Sequence, residues 1–415
     1  MKERPAQSPA ATPDALRPPP GNPRFPLFDS LRGLAALAIV LTHTGLASGA
    51  NVSAFYGDIT ARLDIGVTLF FILSGFLLYR PFVAARMEAR PAPRLRDYAR
   101  RRVLRIVPAY WLALTALAIW PGLVFGAPRW IYYGFGQNYD ARWVLGGLGQ
   151  AWSLAIEASF YVLLPLYAMA LARLTRGVGR DRTARIEIAV LALLAAASVA
   201  GRTIVHHTGH PQMFSFTLAG TFFWFALGMG LAVCSAAWHG RDRQPAAVRV
   251  IARYPWLPWI AGLALFMAMS YGLALPVGFP FLTTGKQYLA EHLLYGTISF
   301  LFVLPATFGT DAGGLPRRIL ASPVLAWLGL VSYGLFLWHA RWNQYFLEHG
   351  AAGWVPSMPF FVLTAVVLAT SLACAAASYY LVERPLLRFK DRRPRRPPAQ
   401  QPPAPPEPVL AARSG

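Results

Sequence analysis

The sequence is divided into continuous apolar blocks about 20 residues long, with clusters of arginine between them. A helix of that length crosses the roughly 30 Å hydrocarbon core of a bilayer. In lipid every backbone polar group must be satisfied within the protein, which leaves helices or closed barrels. Continuous blocks of this length are the pattern of a polytopic helical membrane protein. The chain is 14% charged, against about 25% for a soluble domain. The expected fold class is therefore all-α, a polytopic integral membrane helical bundle of about ten transmembrane helices. The blocks lie approximately at 29–48, 64–83, 106–125, 150–172, 187–206, 214–237, 256–275, 287–308, 324–346 and 360–382.

A net charge of +21 raises nucleic acid as a partner, and the placement of that charge argues against it. Regions 1–24, 80–105, 173–185, 241–253, 317–318 and 384–413 hold 32 of the 39 Lys+Arg. They alternate with nearly uncharged connections, the pattern of the positive-inside rule. Both termini are therefore expected in the cytosol, with connections 84–105, 173–186, 238–255 and 309–323. The connections 49–63, 126–149, 207–213, 276–286 and 347–359 are expected outside.

Residues 1–24 lack the apolar core of a signal peptide and read as a disordered, Pro-rich cytosolic tail. Residues 25–387 form the membrane domain. Residues 388–415 form a second disordered tail, basic and Pro-rich. Cys234 and Cys374 each sit inside an apolar block, so no disulfide framework is expected. The dominance of Arg over Lys, with abundant Ala, Gly and Pro, hints at a high-GC bacterial genome, and hence at a bacterial plasma membrane.

The first block, "DSLRGLAALAIVLTH" over 29–43, carries two residues that such blocks usually avoid. Arg32 falls in its first turn. It can snorkel to the interface, and Asp29 is a plausible N-cap that could also hold it. His43 is eleven residues further on, roughly 16 Å along a helix. An imidazole at that depth is either bonded inside the bundle or functional. With the topology above, His43, Glu157 and His339 fall at a similar depth in the outer half of the membrane. This suggests a shared polar cavity in which a carboxylate beside an imidazole favours a general base. An interhelical polar clamp is the plainer reading. Arg102 and Arg105, at i and i+3 in "RRVLRIVPAY", share one helical face. Paired guanidinium groups suit phosphate, although such pairs also set topology. "HHTGH" (His206, His207, His210) lacks acidic ligands, and no metal site is expected there.

Several stretches together resemble the membrane acyltransferase-3 family, which includes bacterial O-antigen O-acetylases and macrolide acyltransferases. They are "FDSLRGLAALAIVLTH", "GVTLFFILSGFLL" (66–78), "RRVLRIVPAYW" (101–111), "WSLAIEASFYVLLPL" (152–166), "SYGLFLWH" (332–339) and "ERP" (383–385), in that order. The resemblance spans roughly residues 25–390. It departs at Thr68, where many relatives carry Asp, and it includes no C-terminal SGNH esterase-like domain. The resemblance implies transfer of an acyl group, usually acetyl, from cytosolic acyl-CoA to a hydroxyl of a carbohydrate, glycolipid or natural product. It implies His43 as the catalytic histidine and Glu157 as a family-typical acidic position. Asp29, Arg32, Arg102, Arg105 and His339 are then expected around acyl-CoA or the acceptor, with no bound cofactor and no metal. A proton-coupled exporter is the alternative, because intramembrane His and Glu also build proton relays.

Overall fold

The computed structural model describes residues 25, 27–208, 211–277, 284–308 and 313–391. The tail 1–24, His210 and residues 392–415 lie outside them. Among the described residues the regular structure is helical. The main helices are α1 (Leu27–Ala47), α2 (Ile65–Met87), α3 (Leu95–Leu117), α4 (Trp152–Leu174), α5 (Arg180–His207) and α6 (Leu218–Trp238). They continue with α7 (Ala246–Arg253), α8 (Trp256–Gly272), α9 (Gly285–Thr307), α10 (Pro323–Glu348) and α11 (Pro359–Ser378).

By length and composition nine of the described helices can cross a membrane, and a bent helix pair makes a tenth if it is counted as one span. That pair is α7 with α8, bent by 89°. The expected seventh span therefore contains a 17-residue helix, preceded by an eight-residue amphipathic helix turned across it. Tyr254 and Pro255 separate the two, and proline suits a helix start rather than a helix interior.

Helix ends follow local chemistry. Proline occupies the first turn of α10 and α11, where its missing N–H costs nothing. α9 opens with a capping box: Thr284 Oγ1 accepts from the Gln287 amide at 3.3 Å, and Gln287 Oε1 accepts from the Thr284 amide at 3.0 Å. The third span begins earlier than the apolar block suggests. α3 starts at Leu95, so Arg102 and Arg105 stand two to three turns inside a helix. Arginine is a good helix former, and Asp97 pairs with Arg100 at 3.8 Å across one turn.

Two apolar cores form. One gathers Phe71, Phe76, Phe225, Met229 and Ile298 around α2, α6 and α9. The other gathers Ile39, Val40, Leu335 and Leu363 around α1, α10 and α11. Backbones approach closely at glycine. A Cβ at Gly329 would lie 2.0 Å from the Asp29 carbonyl oxygen, and one at Gly228 would lie 2.0 Å from that of Ile72. In this way α1 and α10 lie side by side and parallel. Gly33 meets Leu328 and Gly329 near their starts, and Asn343 Nδ2 donates to the His43 carbonyl 3.1 Å away further along. Ser30 Oγ reaches the Leu320 carbonyl just before α10, and Trp327 Nε1 donates to Tyr380 OH just past α11. The start of α1 and the end of α11 therefore share one face of the bundle.

Candidate active site

A cavity of about 440 Å³ lies where the two cores meet. Asp29 and Arg32 of α1 line it, with Arg102 and Arg105 of α3 and Glu157 of α4. Five of the seven residues singled out from the sequence thus border one space. Along α2 its lining runs from Val67 to Pro81, roughly 21 Å at 1.5 Å per residue. Among the described residues, Arg32, Arg102 and Arg105 make no hydrogen bond and no ion pair, and Arg102 Nε is buried without a partner. A guanidinium carries five N–H donors and no acceptor. Three such groups around one cavity make a site for an anion with several oxygens.

Two expectations at the mouth are corrected. Asp29 is the third residue of α1, not its cap, because the helix already begins at Leu27. There its carboxylate suits the helix dipole. It does not bond Arg32, so it does not hold that side chain.

Glu157 does not stand beside an imidazole. Its Oε1 accepts from Ser74 Oγ at 2.7 Å, and its Oε2 accepts from Tyr161 OH at 2.7 Å. Depth along a helix fixes height but not direction. The packing of α4 against α2 points Glu157 toward Ser74 in the larger cavity.

The imidazoles of His43 and His339 meet each other instead. His43 Nδ1 lies 2.8 Å from His339 Nε2, with ring centroids 5.0 Å apart and planes 10° from parallel. His339 Nδ1 faces the carbonyls of Phe336 at 2.8 Å and Leu335 at 3.2 Å. A carbonyl oxygen only accepts, so with neutral rings the His339 proton sits on Nδ1. Its Nε2 then carries the lone pair and accepts from His43 Nδ1–H. This leaves His43 Nε2 with a lone pair of its own, the form a general base requires. His339 is fully buried, whereas His43 borders a second cavity of about 180 Å³. Val67 and Phe336 line both cavities and form the wall between them.

Other residues at these sites had only partial signals in the sequence. Tyr161 is one turn beyond Glu157, a position that alone flags it. Glu383 lines the larger cavity from the "ERP" segment, a carboxylate at the end of an apolar run. Ser74, Asp64, Gln150 and Tyr295 carry no local signal, because their roles come from neighbours distant in sequence. No group of three or more metal-ligating side chains occurs among the described residues.

Comparison with known proteins identifies the family. The family model described as an acyltransferase domain, the acyltransferase-3 family, matches residues 26–378. BcsY of Komagataeibacter xylinus, provisionally assigned as a membrane-bound transacylase, is 27% identical over 88% of this chain and 84% of its own. The exopolysaccharide production protein ExoZ of Rhizobium meliloti is 29% identical over 78% of this chain and 89% of its own. The O-acetyltransferase OatA of Staphylococcus aureus is 24% identical over 88% of this chain, which covers 58% of OatA. No solved structure matches. With 353 of its 415 residues under one family model, this chain belongs to the acyltransferase-3 family and is a multi-pass membrane O-acyltransferase.

Proposed function

We propose that the chain moves an acyl group from acyl-CoA to a hydroxyl of a carbohydrate, glycolipid or natural product in a bacterial plasma membrane. The names of the OatA relatives support acetyl as the group. Both termini face the cytosol in this reading, so the larger cavity opens to the side where acyl-CoA is made. The observation that carries it is the set of three arginines that make no hydrogen bond or ion pair among the described residues, around a cavity whose inner wall adjoins the His43 cavity.

Arg32, Arg102 and Arg105 bind the phosphates of the donor. Glu157, held by Ser74 and Tyr161, accepts from the amide N–H groups of the pantetheine arm. The thioester then lies toward Val67 and Phe336. His43 Nε2 takes the proton of the acceptor hydroxyl as its oxygen attacks the thioester carbonyl carbon. The C–S bond breaks, and the departing CoA thiolate takes the proton back from the imidazolium. The products are an ester and free CoA thiol. His339 keeps His43 in the reactive tautomer and accepts its Nδ1–H throughout. In this reading transfer is direct, with no acyl-enzyme intermediate.

The deciding measurement uses purified protein in lipid nanodiscs with acetyl-CoA and a host lipid extract as acceptor. Release of CoA thiol together with acetyl-ester formation is expected. An exporter would release none, and that result would end this reading.

A further inference from the structure

The smaller cavity holds polar groups that the donor has no use for. Thr68 and Gln150 are buried, yet Thr68 Oγ1 and Gln150 Oε1 have no hydrogen-bond partner among the described residues. The Gln150 amide nitrogen donates to the carbonyls of Phe336 at 3.0 Å and Leu337 at 2.8 Å. That fixes the side chain's flip, so the atom left over can only accept. Asp64 borders the same space, and one of its oxygens accepts from Tyr295 OH. Its other oxygen adds further acceptor capacity. Buried polar atoms are normally paired, and an orphan calls for a partner the protein does not supply. What is missing here is a set of donors. A thioester has none, the pantetheine amides are assigned to Glu157 in the larger cavity, and a cluster of hydroxyl groups has several.

The remaining walls are aromatic. Trp152 and Trp224 line the cavity, and Trp224 is anchored by its Nε1–H on the His292 carbonyl at 2.9 Å. Apolar ring faces beside hydroxyl acceptors suit a ligand with C–H faces and O–H edges. The volume of about 180 Å³ is below the roughly 300–1,000 Å³ of pockets for drug-sized ligands. It admits one ring rather than a glycan chain.

We propose that this cavity is the acceptor subsite and that it takes a single polyhydroxylated ring of the pyranose type. Gln150, Asp64 and Thr68 receive its hydroxyls, and one further hydroxyl faces His43. The proposal rests on the reading of His43 as the general base. It makes Thr68 and Gln150 specificity determinants for the acceptor and gives them no part in donor binding.

Thr68→Val is the leading test, because it removes an unpartnered hydroxyl at nearly constant shape. A purely structural Thr68 predicts unchanged or higher thermal stability and unchanged kinetics. Wild-type, Thr68→Val and Gln150→Leu proteins are compared in nanodiscs, since maltoside detergents would themselves present sugars. The probes are acetyl-CoA with octyl glucoside, octyl mannoside and octyl galactoside, and octan-1-ol as the alcohol without a ring. We expect at least one glycoside to be acetylated in preference to octan-1-ol. Its KM should rise roughly three- to ten-fold in Thr68→Val, the loss of one neutral hydrogen bond. The KM for acetyl-CoA should stay constant in both variants. Preference for octan-1-ol, or a shift confined to the acetyl-CoA KM, overturns the subsite. Acetyl-CoA binding by the wild type, without transfer to any glycoside, overturns the subsite alone. Failure to bind acetyl-CoA at all removes the donor reading beneath it.

Discussion

The Nδ1 of His43 and the Nε2 of His339 lie 2.8 Å apart, and the carbonyls behind His339 give that bond its direction. The proton of each ring is thus assigned by its neighbour, from the α10 backbone outward to the one nitrogen left basic. In the proposed mechanism a histidine 296 residues away takes the orienting place that a carboxylate holds in many hydrolases.

His43→Ala is expected to reduce turnover by about 10²–10⁴-fold while the protein still inserts at normal levels. Acyl transfer by the purified variant measures this. Wild-type turnover would reduce His43 to a packing residue.

His339→Ala should leave the KM values of both substrates nearly unchanged and lower kcat. Loss of a buried hydrogen-bond partner costs about 1–3 kcal/mol, or roughly five- to hundred-fold. The acid limb of the pH–rate profile belongs to the coupled pair and should move in His339→Gln. A kcat loss with a pH profile superimposable on wild type would assign His339 to structure alone.

Arg102→Gln and Arg105→Gln should each weaken acyl-CoA affinity by roughly 10–100-fold, since charge-assisted hydrogen bonds contribute about 1.5–3 kcal/mol. Lysine should restore only part, because it keeps the charge and loses the fork. Equal affinities across a calorimetric titration of wild-type, Gln and Lys proteins would leave the pair with no donor role.

Gly329→Ala is expected to lower stability by about 1–3 kcal/mol, because the added methyl overlaps the Asp29 carbonyl. Thermal unfolding in nanodiscs reads this directly. An unchanged midpoint would mean that α1 and α10 separate more freely than their packing implies.

For topology, replacing Cys234 and Cys374 gives a background free of cysteine. A membrane-impermeant thiol reagent applied outside should label a cysteine placed in 126–149 and miss one placed in 88–94. The reversed pattern would invert the chain in the membrane.

Much of the bundle was legible because burial in lipid leaves a long apolar block as its mark. Legibility stopped where direction or distant pairing decides. The spacing of Arg102 and Arg105 puts them on one face of a helix, and both line the larger cavity. The depth of Glu157 can be read from α4, but its direction toward Ser74 cannot, because the neighbour of α4 on that side lies elsewhere in the sequence. The bend between α7 and α8 leaves no mark in the sequence for a similar reason: an average of hydropathy along the chain carries no angle. The partner of His43 required knowing that the first and ninth spans lie parallel and in contact, which no local pattern states.

The unbroken course of α1 also limits how such a sequence can change over generations. From Arg32 to His43 is eleven residues, and at about 100° each these complete three turns with roughly 20° to spare. Both side chains therefore emerge from nearly the same side. Substitution among the ten residues between them alters volume and leaves that alignment intact. Inserting or deleting a single one would swing His43 about 100° away from His339 and shift it along the axis. Point changes that respect the packing at Gly33 keep this alignment, while changes of length do not.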